Sequence, residues 1–407
     1  MNWIFAIDDF TLIVSSVVIV IAAVSCFFSP FVRFRKSDGE AEAVHGFHAV
    51  AQDGDAGGEN ATKRPKITII LTPHDEADRL ERNLPLLLQQ KYPAGFQVVV
   101  VMEEGARDTE DLLKRMQLQL NEHPGDGSLY YSYIPASSRY LSRKKLAITV
   151  GVKAASTDWV LLTEASSYPS SDYWLATMAG NCDNNNRVVI GYGNYSDQTS
   201  SFKRFERLYG AYYLMREDTC GKPYRTQSHN LMFRKSDFME NDGFLGNLNL
   251  IRGEYDFIVN KFATSGATAL VTDNSAWMTD ENPSRKAWLT EHIFYMETRR
   301  WLLGSWLHRF WFNSDQLLLH VSLLLIVFAA AFAVFTLNLT LLCAAAFAFV
   351  VSWTVRTILG YKALRSFSER MPLLFIYPYE LSLVWHNLAY AIHHRFSDKL
   401  DFSTHKQ

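Results

Sequence analysis

An α/β protein with a mainly parallel sheet, carried on apolar helices, is the fold class this sequence predicts, and three observations predict it. Over residues 66–163, short apolar runs alternate with helical stretches, the pattern of strands joined by crossover helices. Three other runs, residues 10–28, 316–337 and 339–359, are too long and too apolar for the helices of a soluble core. The chain has 407 residues, 48% of them hydrophobic, enough for one large domain plus such segments. Its net charge of −2 leaves no electrostatic argument for a nucleic-acid partner.

The apolar runs come first in the order of inference. Residues 10–28 carry no charge and match a hydrocarbon core about 30 Å thick. No small-residue cleavage pattern marks them as a signal peptide. Asp8 and Asp9 precede this run, and Arg33, Arg35 and Lys36 follow it, which places the following chain on the cytoplasmic side. The second and third runs are separated only around Asn338 and read as a tight hairpin. Arg309 before it and Lys362 and Arg365 after it keep both ends cytoplasmic. The expected location is therefore the inner, cytoplasmic membrane, multi-pass, with the domain facing the cytoplasm. Arg356, near the end of the third run, is expected to snorkel to the interface.

Residues 286–312 carry Trp288, Trp301, Trp306 and Trp311 with Arg299, Arg300, His308 and Arg309, the composition of an amphipathic segment lying at the interface. Residues 371–392 are semi-apolar but interrupted by Pro372, Pro378, Glu380, His386 and Asn387, and read as an interfacial helix rather than a fourth span. With no acidic pair expected inside the spans, little is available to line a transport pathway, which disfavours a transporter or channel. Cys26 and Cys343 lie in apolar runs, while Cys182 and Cys220 are scattered. This is neither a metal spacing nor a disulfide framework, and it fits a reducing compartment.

Residues 37–64, rich in Gly, Ala, Asp and Glu, read as a flexible linker. Beyond it "KITIIL" is a strand, followed by a helix over 76–90. "FQVVVVM" is the next strand, with a helix over 109–120, then "LYYSYI" with a helix over 142–155, then "DWVLLT". Further on, "RVVIGYG" and "ATALVT" read as strands, and residues 201–216 and 253–263 as helices. A parallel sheet of this kind gathers the loops after its strands into one cleft. Those loops are acidic. "LTPHDEADRL" carries Pro73, His74, Asp75 and Glu76; "MEEGARDTED" carries Glu103, Glu104 and Asp108; "TEASSYP" carries Glu164 and Ser166. One such loop is an ordinary helix cap. Three on one edge point to a polyhydroxylated or metal-chelated ligand.

In this order the motifs resemble those of family 2 glycosyltransferases, which have the GT-A fold, a Rossmann-like, mainly parallel sheet. "TPHDEADRL", "EEGARDTED" and "SRKKLAITVGVKAASTDWVLLTEASSYP" match the donor-side elements, and "QSHNLMFRKSDF", "GEYDFIVNKF" and "METRRW" resemble the acceptor-side, catalytic-helix and "QxxRW" segments. The nearest pattern is that of bacterial membrane-anchored members with one N-terminal helix and a C-terminal hairpin. The implied organisation is an anchor (1–36), a linker (37–65), a GT-A domain (66–285), an interfacial segment (286–314), a hairpin (315–360), and a membrane-proximal helix and tail (361–407).

The resemblance implies transfer of a sugar, with inversion, from a nucleotide-sugar donor to a lipid-linked or surface-glycan acceptor in polysaccharide biosynthesis, alongside other glycan-assembly proteins. Pro73, Glu76, Glu103, Glu104, Asp108, Lys144, Lys145, Asn230, Arg300 and Trp301 would bind substrate. Glu164 and Ser166 would hold a divalent metal, Mg²⁺ or Mn²⁺, or else Lys and Arg would stabilise the diphosphate without one, and Asp256 or Glu254 would take the proton of the attacking hydroxyl. Carboxylates accept from ribose and base donors, and a diphosphate needs Lys, Arg or a metal. The chain departs from the family at three places. Ser166 replaces the second metal acid, Tyr255 stands where an Asp is expected, and Glu297 replaces the Gln of "QxxRW". A non-catalytic relative, binding a nucleotide-sugar or a partner enzyme as a scaffold, is the alternative these departures keep open.

Overall fold

A computed structural model of the protein describes residues 3–32, 64–122, 125–135, 142–398 and 402. Of the linker expected over 37–65, residues 37–63 lie outside these residues, as does the basic flank at Arg33, Arg35 and Lys36. The chain divides into two compact units, Met1–Arg35 with Gly304–Ile392, and Lys36–Leu303 with His393–Gln407.

In chain order the strands are β1 (Ile67–Leu71), β2 (Phe96–Glu103), β3 (Gly127–Ile134), β4 (Trp159–Thr163), β5 (Ser167–Pro169), β6 (Val188–Gly191), β7 (Gly193–Tyr195), β8 (Leu231–Arg234), β9 (Thr268–Val271) and β10 (Met278–Asp280). The helices are α1 (Asp9–Phe27), α2 (Ala77–Leu88), α3 (Arg107–Glu122), α4 (Arg143–Ala154), α5 (Trp174–Ala179), α6 (Ser201–Cys220), α7 (Lys235–Glu240), α8 (Glu254–Phe262), α9 (Arg285–Thr298), α10 (Ser305–Thr336), α11 (Leu339–Ser366) and α12 (Ile376–Phe396).

The larger unit is a mixed α/β body. Its main sheet runs β3-β2-β1-β4-β8-β6-β9. The first four strands are parallel, β8 is antiparallel to both its neighbours, and β6 and β9 are parallel. The pleat explains why the strands are apolar throughout. Ile67, Ile69 and Leu71 of β1 pack with Leu80 and Leu84 of α2 and Leu112 and Met116 of α3. Ile70, between them, faces the other way, with Val99, Val101 and Leu162, toward Ile148 and Val152 of α4 and Ile258 and Phe262 of α8. A sheet covered on both faces leaves no strand side for polar residues. A second, three-stranded sheet, β5-β10-β7, pairs Asp280 with Ser167 on one side and with Tyr195 on the other. It therefore brings the end of β10 to the turn that follows β4.

The smaller unit contains α1, α10 and α11, the three helices long and apolar enough to cross a membrane. Ala22 of α1, Ala329 and Ala333 of α10, and Ala345 and Ala348 of α11 form much of their common core. Small residues at such contacts let backbones approach closely. Only Leu337 and Asn338 join α10 to α11. Leu337 adopts φ 56°. Asn338 Oδ1 accepts from the Leu341 N–H at 3.1 Å, while its Nδ2 donates to Thr11 Oγ1 at 2.8 Å.

Three expectations are corrected here. Arg356 does not snorkel. It is fully buried within the smaller unit, donating to Glu380 Oε2 at 2.9 Å, Asp315 Oδ1 at 2.8 Å and the Ser25 carbonyl at 2.5 Å. An acidic pair, Asp315 and Glu380, therefore does lie inside the helical unit. Arg356 draws both acids inward, because a lone guanidinium could not be buried there. Residues 286–312 are not one amphipathic segment. Helix α9 ends at Thr298, Gly304 turns the chain at φ 83°, and α10 starts at Ser305 and runs without a break into the apolar stretch. Trp288 thus belongs to α9, and Trp306 and Trp311 to α10.

Candidate functional site

The C-terminal ends of β1, β2 and β4 open on a cavity of about 890 Å³ in the larger unit, a volume that suits a nucleotide-sized ligand. Thr72 and Pro73 after β1, Glu103 at the end of β2, Ser142–Lys144 at the start of α4, and Glu164 and Ser166 after β4 line one side. Glu254, Tyr255 and Asp256 at the start of α8, with His229, Asp280 and Tyr295, line the other.

The cavity is a network of charges. Lys144 Nζ donates to Glu164 Oε1 at 2.5 Å. Arg143 Nε donates to Glu103 Oε1 at 2.5 Å, and His74 Nδ1 lies 3.2 Å from the same oxygen. Arg79 pairs with Glu76 at 2.7 Å and with Glu281 at 3.2 Å. Asp280 is buried between Arg207 at 2.6 Å and His229 at 2.9 Å, and Ser167 Oγ donates to its other oxygen at 2.5 Å. Burial would raise the Asp280 carboxyl, but Arg207 and then His229 hold it well below the usual carboxylate range. Burial would lower the His229 imidazole, but Asp280 raises it above its ordinary value, favouring the charged ring.

Helix α8 presents its first residues to the cavity because of Gly253. That residue caps the helix at φ 94°, and a Cβ there would meet Thr298 Cγ2 at 2.9 Å. Glu254, the first helical residue, is only 4% exposed, yet its Oε1 makes no hydrogen bond among the described residues. A buried acceptor without a donor is costly, and a catalytic role or a bound group is one of the explanations for it. Asp256 instead accepts from the Thr226 N–H at 3.2 Å. Burial pushes its carboxyl up to about 6, against the opposing charge of Arg225.

That shift carries a sign. A carboxyl raised in the folded state contributes stability below its unfolded value of 3.8, and the contribution is lost as pH rises through about 6. Asn cannot ionise. The stability of Asp256→Asn relative to the parent protein should therefore improve by about 1–3 kcal/mol as pH rises across that window, read from melting midpoints. A difference that stays flat or falls with pH refutes it.

The structure brings Pro73, Glu76, Glu103, Lys144, Glu164, Ser166, Glu254 and Asp256 to one cavity. It sends the other expected residues elsewhere. Lys145 is fully buried, and its ammonium donates to the Asn247 carbonyl at 2.7 Å, Asn247 Oδ1 at 2.5 Å and the Leu250 carbonyl at 2.6 Å, which uses all three donors. Asn230 is likewise internal, donating to the carbonyls of Tyr192 and Ala276 and accepting from Trp174 Nε1. Glu104 and Asp108 are exposed and do not line the cavity. Arg300 pairs with Glu297 at 3.5 Å, and Trp301 is 50% exposed; neither lines the cavity.

Sequence reasoning missed His229, Asp280 and Arg207. His229 stood in the quoted "QSHN" string, one residue from the Asn that was chosen. Asp280 reaches the cavity only through the small sheet, for which no motif exists.

A divalent cation is implied by the family resemblance, and the residues present do not fit one. Glu164 already holds the Lys144 ammonium, and Ser166 offers a hydroxyl where a hard cation prefers carboxylate. Among the described residues no three His, Cys, Asp or Glu side chains converge as a ligand set. A cation beside Glu164 would also meet Lys144, at roughly 4 kcal/mol of repulsion per unit of charge at 4 Å and an effective dielectric of 20.

No family model matches this sequence, and no curated protein does. Solved structures do match. The chain is similar to the mannosyltransferase PcManGT from Pyrobaculum calidifontis, solved with GDP-Man and Mn²⁺, at 16% identity and a TM-score of 0.52 over 92% of this chain and 99% of that one. It is also similar to TarS 1-349 of S. aureus, solved with UDP-GlcNAc, at 15% identity and a TM-score of 0.40 over 79% of this chain and 92% of that one. At such identity the first likeness is one of fold.

Proposed function

We propose that the chain is a membrane-anchored, inverting glycosyltransferase with the GT-A fold, moving a sugar from a nucleotide-sugar donor to a lipid-linked or surface-glycan acceptor. The observation that carries this reading is the cavity at the ends of β1, β2 and β4, where cations and a buried, incompletely bonded Glu254 meet. Pro73, Glu76 and Glu103 line the nucleoside side, and the carboxylates of the two glutamates accept from ribose and base donors. Lys144 and Arg143 face the diphosphate. The acceptor hydroxyl attacks the anomeric carbon from the face opposite the diphosphate and passes its proton to Glu254. The bond to the diphosphate breaks, and its electron pair leaves with the nucleoside diphosphate, so configuration inverts. Asp256 sits two residues further on, already engaged by the Thr226 N–H, and shapes the acceptor side.

The three apolar helices serve as the anchor, with α10 and α11 as a hairpin across the inner membrane and the catalytic body in the cytoplasm. Incubating the detergent-purified full chain with UDP- and GDP-sugars plus extracted membrane lipid should release nucleoside diphosphate only when the lipid is present. Tyr255 at the position of the expected Asp favours a second reading, a nucleotide-sugar-binding scaffold. Binding of nucleotide-sugar without turnover on any acceptor would select that second reading.

A further inference from the structure

We infer that the donor diphosphate is neutralised by protein cations and not by a divalent metal ion, with Lys144 as its principal counter-ion and Arg143 and Arg252 beside it. This deepens, and rests on, the donor-site reading above.

Lys144 occupies the place where the turn after β4 would present its acids to a metal. It uses one N–H on Glu164 at 2.5 Å, which leaves two for phosphate oxygens. Arg143 and Lys144 stand in the first turn of α4, where free backbone N–H groups and the helix dipole favour negative charge. Arg252 lines the same cavity from the other side, near enough that its charge opposes that of Lys144. It forms no salt bridge among the described residues, and its recorded contact is the face of Phe294, 5.8 Å away. Three cations thus line the cavity in which a dication would otherwise be needed. The unpaired Oε1 of Glu254 supplies an acceptor for a sugar or acceptor hydroxyl next to them.

The test is calorimetric titration of UDP and GDP into the detergent-solubilised full chain, in excess EDTA and again in Mn²⁺ or Mg²⁺. It is repeated with Lys144→Met, Lys144→Arg and Glu164→Ala, with a melting curve for each variant. The expected result is the same affinity with and without metal, about tenfold or greater weakening in Lys144→Met, and substantial retention in Lys144→Arg. Binding that appears only with metal, is lost in Glu164→Ala and survives in Lys144→Met overturns the inference and leaves the donor site standing. Failure of both nucleotides to bind the folded protein under every condition overturns the inference and the donor-site reading together.

Discussion

Arg356→Leu should destabilise the apolar helical unit by about 3–5 kcal/mol, the cost of removing one partner from a buried ion pair. The guanidinium joins the backbone of α1 at Ser25 to Asp315 of α10 and Glu380 of α12 while itself belonging to α11. All three charged side chains are wholly excluded from solvent. Without Arg356, Asp315 and Glu380 would lose the guanidinium that donates to both, and burying charges without that compensation is far costlier than losing the hydrogen bonds. The same reasoning makes the loss recoverable. Combining Arg356→Leu with Asp315→Val and Glu380→Leu should restore most of the stability, because replacing a whole buried triad by hydrophobic residues of similar volume is often close to neutral. Melting midpoints in one detergent compare the variants. An Arg356→Leu protein that melts with its parent, or a triple variant no better than the single one, would show that the triad does not hold these helices.

Glu254→Gln should lower turnover by about 10²–10⁴-fold, the range for loss of a general base, while nucleotide binding is preserved. The variant keeps the shape of the side chain and a hydrogen-bonding oxygen but cannot accept the proton. The position is prepared by the backbone. Gly253 alone tolerates φ 94° with Thr298 packed against it, so the first residue of α8 is delivered to the cavity. Asp256→Asn should cost less, since that carboxylate already accepts the Thr226 N–H. A Glu254→Gln enzyme with near-parental turnover, alongside an inactive Asp256→Asn, would transfer the role to Asp256 and refute the assignment.

Much of the sheet was legible in the residues, because covering both faces forces continuous apolar strands and the loops between them carry their own signals. "KITIIL", "FQVVVVM" and "DWVLLT" became β1, β2 and β4, and the helix read over 142–155 became Arg143–Ala154. The cavity's edge was legible for the same reason, since the end of a strand is a local property: Pro73, Glu103 and Glu164 stand at or just after the ends of β1, β2 and β4.

Direction around a helix and contact across the chain were not legible. Lys144 and Lys145 are adjacent and chemically alike, yet the turn of α4 aims one into the cavity and the other into the protein, where burial pulls its ammonium down to about 8. His229 and Asn230 part in the same way at the start of β8. Asp280 reaches His229 and Arg207 only because β10 inserts between β5 and β7, and Asp315 and Glu380 meet Arg356 only when four helices pack. By itself the sequence determined the parallel strands of the main sheet, the helices between them and the apolar runs, because backbone propensity and hydrophobic period act over a few residues. The tertiary structure decided which charges meet. A buried ion finds its counter-ion through space, at distances along the chain that no local pattern records.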